Sequence, residues 1–226
     1  LVVDFDSSAN ITRCVVEDIK TVEISIGDLM MNQMDEEEQP NPAEYIINRN
    51  GVDFILSSKV LSAVDAKLRL EMGAEKILAC ILEPFREEYD YILIDTCPSL
   101  NTLTINALSA ADEVIIAANP QFWAMVGLED FLLTVKKIKN RVKSKLDVSG
   151  ILLTMCEERT NLCKVITEEV AGTFNGKLRI FDSKIPSTVK VGESVYYGEP
   201  LLEYAPRTKA CRMYQNLAKE LIADED

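Results

Sequence analysis

The chain has 226 residues, 47% of them hydrophobic and 27% charged, which is ample apolar material for one large domain or two small ones. A net charge of −13 and a pI near 4.6 exclude a protein that coats nucleic acid with its whole surface, though not one with a local basic patch. The chain has no histidine, and its cysteines (Cys14, Cys80, Cys97, Cys156, Cys163 and Cys211) form no C-x-x-C pair; this argues against a zinc site of the usual kind, a histidine-based triad and a disulfide framework, and for free thiols in a reducing cytoplasm.

The chain opens on "LVVDF", an apolar run of strand length closed by acids at Asp4 and Asp6. "SIGDLMMN" follows, and then a biased segment, "MDEEEQPNPAEY" (34–45). Its charge run and prolines predict an exposed loop capping a helix that starts near Pro42. "VDFILSS" reads as a strand and Val60 to Leu70 as a helix. "GAEKILACILEPFREEYD" places Ile77, Leu78, Ile81, Leu82 and Phe85 on one helical face. "YILID" is a nearly all-apolar strand, "TLTINALSAAD" a short helix and "EVIIAAN" another buried strand. "GLEDFLLTVKKIKNRV" is amphipathic, with Phe131, Leu132, Val135 and Ile138 inward and Lys136, Lys137 and Lys139 outward. "VSGILLTM" reads as a strand, "NLCKVITEEVAGTF" as a helix, "LRIFDSKIP" as a strand ended by Pro186, and Thr208 to Ala223 as the last helix. No run approaches the ~20 apolar residues that a membrane span needs.

Continuous apolar strands alternating with helices predict an α/β fold, doubly wound, with a mostly parallel sheet covered by helices on both faces. In such a sheet, function gathers at the carboxyl ends of the strands. "LVVDFD" ends in Asp4 and Asp6, and "YDYILID" ends in Asp95. An apolar strand closed by Asp is the form of a Walker B element, whose carboxylate holds Mg²⁺ beside a nucleotide phosphate. The same residue type also caps helices and turns chains, so the pattern alone leaves both roles open.

Longer stretches narrow the choice. "YDYILIDTCPSLNTLTINALSAADEVIIAANPQFWAMVGL" resembles the Walker B and following segment of the ParA/Soj family of partition ATPases, P-loop proteins with a deviant Walker A motif related to MinD and the nitrogenase iron protein. "LVVDFDSSANIT" resembles the family's D-x-D-P-Q-G-N-x-T element. "GILLTMCEERTNLCKVITEEV" resembles the strand and helix after it, and "IPSTVKVGESVYYGEPLLEYAPRTKACRMYQNLAKEL" the C-terminal stretch. The similarity runs in order over nearly the whole chain apart from about Val22 to Gly73.

The resemblance implies roles. Asp6 matches the acid that positions the attacking water and senses the γ-phosphate, Asp4 the acid near the Mg²⁺ shell, and Asp95 the Walker B acid. Asn10 and Thr12 match the N-x-T of the first switch. Thr154, four residues after Gly150, matches a position near the adenine, and Pro186 lies in the loop that packs against the base. The implied cofactors are ATP/ADP and Mg²⁺. The implied assembly is an ATP-sandwich homodimer in the cytoplasm that binds nonspecific DNA at the nucleoid and is reset by a ParB-like partner, with no membrane contact. Lys190, Arg207, Lys209 and Arg212 fall where the family places its DNA-binding basic residues.

Departures are also visible. P-Q-G is replaced by Ser7, Ser8 and Ala9; Cys97 stands for the first Pro of P-P-S; Ser187 stands for the Arg of I-P-R-N; and "NPQFW" replaces Q-P-E-[YF]-[FY]. No G-K-[ST] occurs. The resemblance places the K-G-G-x-G-K-T loop before Leu1, so the expectation is a single domain over 1–226 that lacks its first strand, P-loop and first helix, about forty residues in scale. The rival is a nonhydrolytic regulatory or scaffold protein on the same fold. A MinD-like positioning protein, an amidoligase and a tyrosine kinase are other deviant-Walker readings. The acidic end "NLAKELIADED" speaks against a membrane-targeting helix, the setting of Cys97 and Cys156 against an iron–sulfur site, and the lack of tyrosine after Tyr214 against a kinase tail.

Overall fold

The computed structural model describes residues 1–120, 122–143, 145–157, 159–174 and 178–223, without the side chains of 122–126, 129, 162 and 171. The chain divides into two units. The first comprises Leu1–Asp112 and Ile138–Leu146, the second Glu113–Lys137 and Asp147–Asp226.

The first unit contains, in order, β1 (Val2–Phe5), α1 (Asn10–Val15), α2 (Ile26–Met34), β2 (Ile46–Arg49), β3 (Val52–Ile55), α3 (Val60–Leu68), α4 (Ile77–Leu82), β4 (Leu93–Thr96) and α5 (Thr102–Ala110). Its sheet has the order β2-β3-β1-β4. β1 lies parallel to both β3 and β4, and Asp4 is paired with Asp95 in the β1–β4 register. Val3 and Phe5, two residues apart on the pleat, are buried with Leu29, Met30, Ile55, Leu61, Leu78 and Leu103 in the main core. Local chemistry fixes the helix starts. The Asp28 carboxylate accepts from the Ser25 amide and hydroxyl before α2, and Asn101 Oδ1 accepts from the Thr104 amide before α5.

The second unit contains β5 (Glu113–Ala118), most of α6 (Phe122–Arg141), β6 (Asp147–Leu153), α7 (Asn161–Phe174), α8 (Val189–Tyr197), α9 (Leu201–Tyr204) and α10 (Lys209–Ile222). β5 and β6 are parallel. Their register shifts so that Val114 faces Val148 and Ile115 faces Gly150, which leaves Ser149 as the extra residue of a bulge. Gly150 sits at φ +157, and a Cβ built there would lie 2.9 Å from Phe181 Cε2 and 3.0 Å from the Arg179 carbonyl. Leu152, Phe181, Ile185 and Leu217 pack into one cluster, so α10 is seated on the chain flanking β6.

The α/β class and the mostly parallel strands are as the pattern predicts, with three local differences. β2 pairs antiparallel with β3 through an Asn50–Gly51 turn in which both residues have positive φ, and no strand is predicted at β2. Pro42 opens only a three-residue 3₁₀ turn, Pro42–Glu44, because the chain enters β2 two residues later. The run 178–186 makes two isolated parallel bridges, Ile151 to Ile180 and Cys156 to Pro186, rather than a strand.

Candidate functional site

The end of β1 divides the D-x-D pair. Asp4 is inside the strand and fully buried. Its Oδ2 accepts from both the backbone amide (2.8 Å) and the hydroxyl (2.7 Å) of Thr12. Its Oδ1 receives a longer contact from the Asp6 amide at 3.4 Å. A buried carboxylate needs such donors, and here they come from the first turn and a half of α1. Asp4 therefore ties that helix to the strand. Asp6 lies one residue past β1, is half-buried, and accepts from the Ser8 amide at 2.9 Å through Oδ1.

Thr12 is equally committed. While its hydroxyl donates to Asp4, its oxygen accepts from the Ser57 amide at 2.8 Å. Ser57, directly beyond β3, also donates its hydroxyl to the Asp6 carbonyl at 2.7 Å. Arg49 on β2 donates to the carbonyls of Cys14 (2.6 Å) and Val15 (2.5 Å), which holds the other end of α1. Sequence reasoning missed Ser57 and Arg49. Ser57 had a signal, a hydroxyl at a strand's carboxyl end; Arg49 had none, since its strand was not predicted.

The turn between Asp6 and α1 closes with the Ala9 amide donating to the Asp6 carbonyl at 2.9 Å. Ala9 is buried and left-handed, at φ 53, ψ 46. The loop thus takes a conformation natural to glycine while carrying a methyl. Asn10, the first residue of α1, is exposed.

Asp95 lies on β4, paired with Asp4 in the ladder, and is exposed. Desolvation by the sheet behind it, and then the negative charges of Asp4 and Asp6, push its carboxyl above the usual range. Solvent reaches one side of the group while protein lies on the other. Asp4, Asp6 and Asp95 thus interact electrostatically. Among the described residues no cluster of three or more acidic or sulfur side chains could hold a metal by itself. This donor set fits Mg²⁺, which takes one or two carboxylates and completes its shell with water and phosphate oxygens. Asp95, exposed on β4, could contact such an ion, whereas Asp4 is fully buried and bonded to Thr12.

In the second unit, Thr154 follows β6 and donates its amide to the Ala118 carbonyl at 2.9 Å. Pro186 is bridged to Cys156. The Cys156 amide donates to the Ile185 carbonyl and the Ser187 amide to the Cys156 carbonyl, at 2.9 and 3.0 Å. The structure therefore places Thr154 and Pro186 on two chain segments bonded side by side. Of the basic residues, Arg207, Lys209 and Arg212 are exposed around the start of α10. Lys190 is exposed on α8, but its Nζ donates to Glu193 at 2.6 Å and lies 5.6 Å from the Tyr204 ring centroid, so its charge is partly balanced.

A family model described as an AAA domain matches residues 1–148. The sporulation initiation inhibitor protein Soj of Bacillus subtilis is 34% identical over 224 residues, covering 99% of this chain and 86% of Soj. The chain belongs to the ParA/Soj family. The chromosome partitioning protein ParA of Myxococcus xanthus is 31% identical over 98% of this chain and 76% of its own. Two Mycobacterium tuberculosis relatives, 40% identical over 171 residues, are spanned over 53% of their length. The fold is also visible in a solved structure. A putative plasmid partition protein from Borrelia burgdorferi, bound to AMPPNP, superposes with a TM-score of 0.77 at 22% identity, covering 99% of this chain and 86% of that one. No helix among the described residues is long and apolar enough to cross a membrane.

Proposed function

We propose that this protein is a partition ATPase of the ParA/Soj type, acting on a chromosome, plasmid or mobile element. One observation carries the reading: Asp4 and Asp95 are register partners on parallel strands, and Asp6 lies half-buried just past the carboxyl end of β1. That is where a doubly wound sheet places its chemistry.

Phosphoryl transfer asks for positioning and charge neutralisation more than covalent work. Asp6 orients the attacking water and holds its proton. Its backbone is fixed by Ser57, and its turn by Ala9. Asp95 would hold Mg²⁺, which when bound neutralises phosphate charge, and Asp4 with Thr12 keeps α1 and Asn10 against the site. Thr154 and Pro186 would flank the adenine. β4 lies at one edge of its sheet, and Leu93 on it is 59% exposed. In this reading residues 1–226 belong to one nucleotide-binding domain. ATP drives dimerisation. Arg207, Lys209 and Arg212, with Lys190 after release from Glu193, contact DNA phosphates, and a ParB-like partner stimulates hydrolysis.

ATPase assay of the full-length gene product tests this, with and without DNA and partner, wild type against Asp6→Ala. Mg²⁺-dependent turnover that Asp6→Ala abolishes is expected, with a salt-sensitive DNA shift in ATP but not ADP. No turnover in any combination would favour the nonhydrolytic scaffold, which the Ser7-Ser8-Ala9 replacement also suits.

A further inference from the structure

The segment that carries Pro186 is bonded to β6 at its two flanks, through the Phe181 amide to the Ile151 carbonyl at 3.0 Å and the Ile185 amide to the Leu153 carbonyl at 2.9 Å. Between Phe181 and Ile185 it is held by one side chain of α10. Glu220 Oε2 accepts from the Asp182 amide at 3.0 Å, and Oε1 from the Ser183 amide at 2.9 Å. Arg179 adds an ion pair at 3.5 Å. Glu220 is 18% exposed, and burial works against its charge, yet the bonds from Ser183 and Asp182 and the Arg179 charge hold its carboxyl below the usual range. Immediately beyond, the Ile185 amide donates to the Leu153 carbonyl, and the Cys156 and Ser187 amides complete the pairing with the Thr154 segment. Phe181 and Ile185 are packed on Leu217, one turn before Glu220 on α10.

We propose that Glu220 is a positioning residue that clamps the base-side loop to α10, and so sets how tightly the site discriminates adenine from other bases. This rests on the nucleotide-binding reading above. Through the same clamp, the helix bearing Lys209 and Arg212 is tied to the loop bearing Pro186. A carboxylate can accept from both amides at once. A glutamine offers one oxygen and turns its NH₂ toward the second amide, and an aspartate is one methylene too short to reach both.

The test uses Glu220→Gln and Glu220→Asp in the full-length gene product, with hydrogen exchange and the fluorescent nucleotides mant-ATP and mant-GTP. The amides of Asp182, Ser183, Lys184, Ile185 and Ser187 are expected to exchange about tenfold faster in both variants, while those of β1 keep their rates. The ratio of ATP to GTP affinity is expected to fall about fivefold, a readout that general destabilisation well below the melting temperature leaves alone. Unchanged exchange at 182–187 overturns the clamp, and faster exchange with an unchanged affinity ratio overturns the positioning role. A wild type that binds neither nucleotide overturns the nucleotide reading itself, and this proposal with it. If Glu220→Gln does not fold, Glu220→Asp alone decides, because it keeps the charge and shortens only the arm.

Discussion

Thr12→Val tests whether the turn between β1 and α1 is braced from inside. The substitution keeps the shape and removes the hydroxyl. Two buried bonds vanish: the donation to Asp4 at 2.7 Å and the acceptance from the Ser57 amide at 2.8 Å. The first ends on a carboxylate, worth about 1.5–3 kcal/mol, and the second leaves a buried amide unsatisfied, at about 1–3 kcal/mol. The Thr12 backbone amide still reaches Asp4, so the charge is not abandoned. The total is about 3–5 kcal/mol, a large share of a typical domain's stability. Urea titration should show the midpoint falling by roughly 1–2 M with an unchanged slope, for a slope of about 2–3 kcal/mol/M. Thr12→Ser, which retains the hydroxyl and loses one methyl, should cost only about 1 kcal/mol. A Val variant within about 1 kcal/mol of wild type, or a Ser variant as damaged as Val, would refute the brace.

Asp95→Asn should raise the melting temperature at pH 7 in EDTA by about 1–2 °C, a small gain because the group is exposed. The folded carboxyl titrates above its unfolded value, so its ionisation costs stability at neutral pH, and the gain should fade as pH falls toward the unfolded range; a lower melting temperature at pH 7 would contradict it. Gly150→Ala should cost about 2–3 kcal/mol in thermal or urea melts, since its Cβ meets the Phe181 ring and the Arg179 carbonyl at 3.0 Å or less; a loss under about 1 kcal/mol would show that the contact yields. Ala9→Gly should lie within about 1 kcal/mol of wild type by urea titration, because relief of the left-handed backbone is offset by chain entropy and a lost buried methyl, whereas Ala9→Val should cost at least about 2 kcal/mol. An Ala9→Val variant of wild-type stability would mean that the turn is not held as described.

What could be read in advance follows from range. β1 announces itself because an interior parallel strand must be apolar along its length, and β4, β5 and β6 share that apolar composition. β2 does not, being short, polar and at the sheet edge. Its signal was the Asn50–Gly51 turn, read only once both residues are seen at positive φ. The run 178–186 has strand-like composition, but the amides of Asp182 and Ser183 turn to Glu220, 38 and 37 positions away in sequence. The acids of the site were legible because a carboxylate ending an apolar strand is conspicuous. Their division of labour was not. A two-residue spacing treats Asp4 and Asp6 as equals on one face of an extended chain. Because β1 stops at Phe5, Asp4 stays in the ladder and is spent on Thr12, while Asp6 leaves it and keeps a half-exposed carboxylate. Where the strand ends depends on β4 and β3, some 50 to 90 residues on, and on Ser57 catching the Asp6 carbonyl. The same dependence explains why the loop tolerates Ala9 in place of glycine. Asp4, Ser57 and the Asp6 carbonyl fix the two ends of the turn, and a backbone fixed at both ends holds a left-handed alanine that a free loop would release.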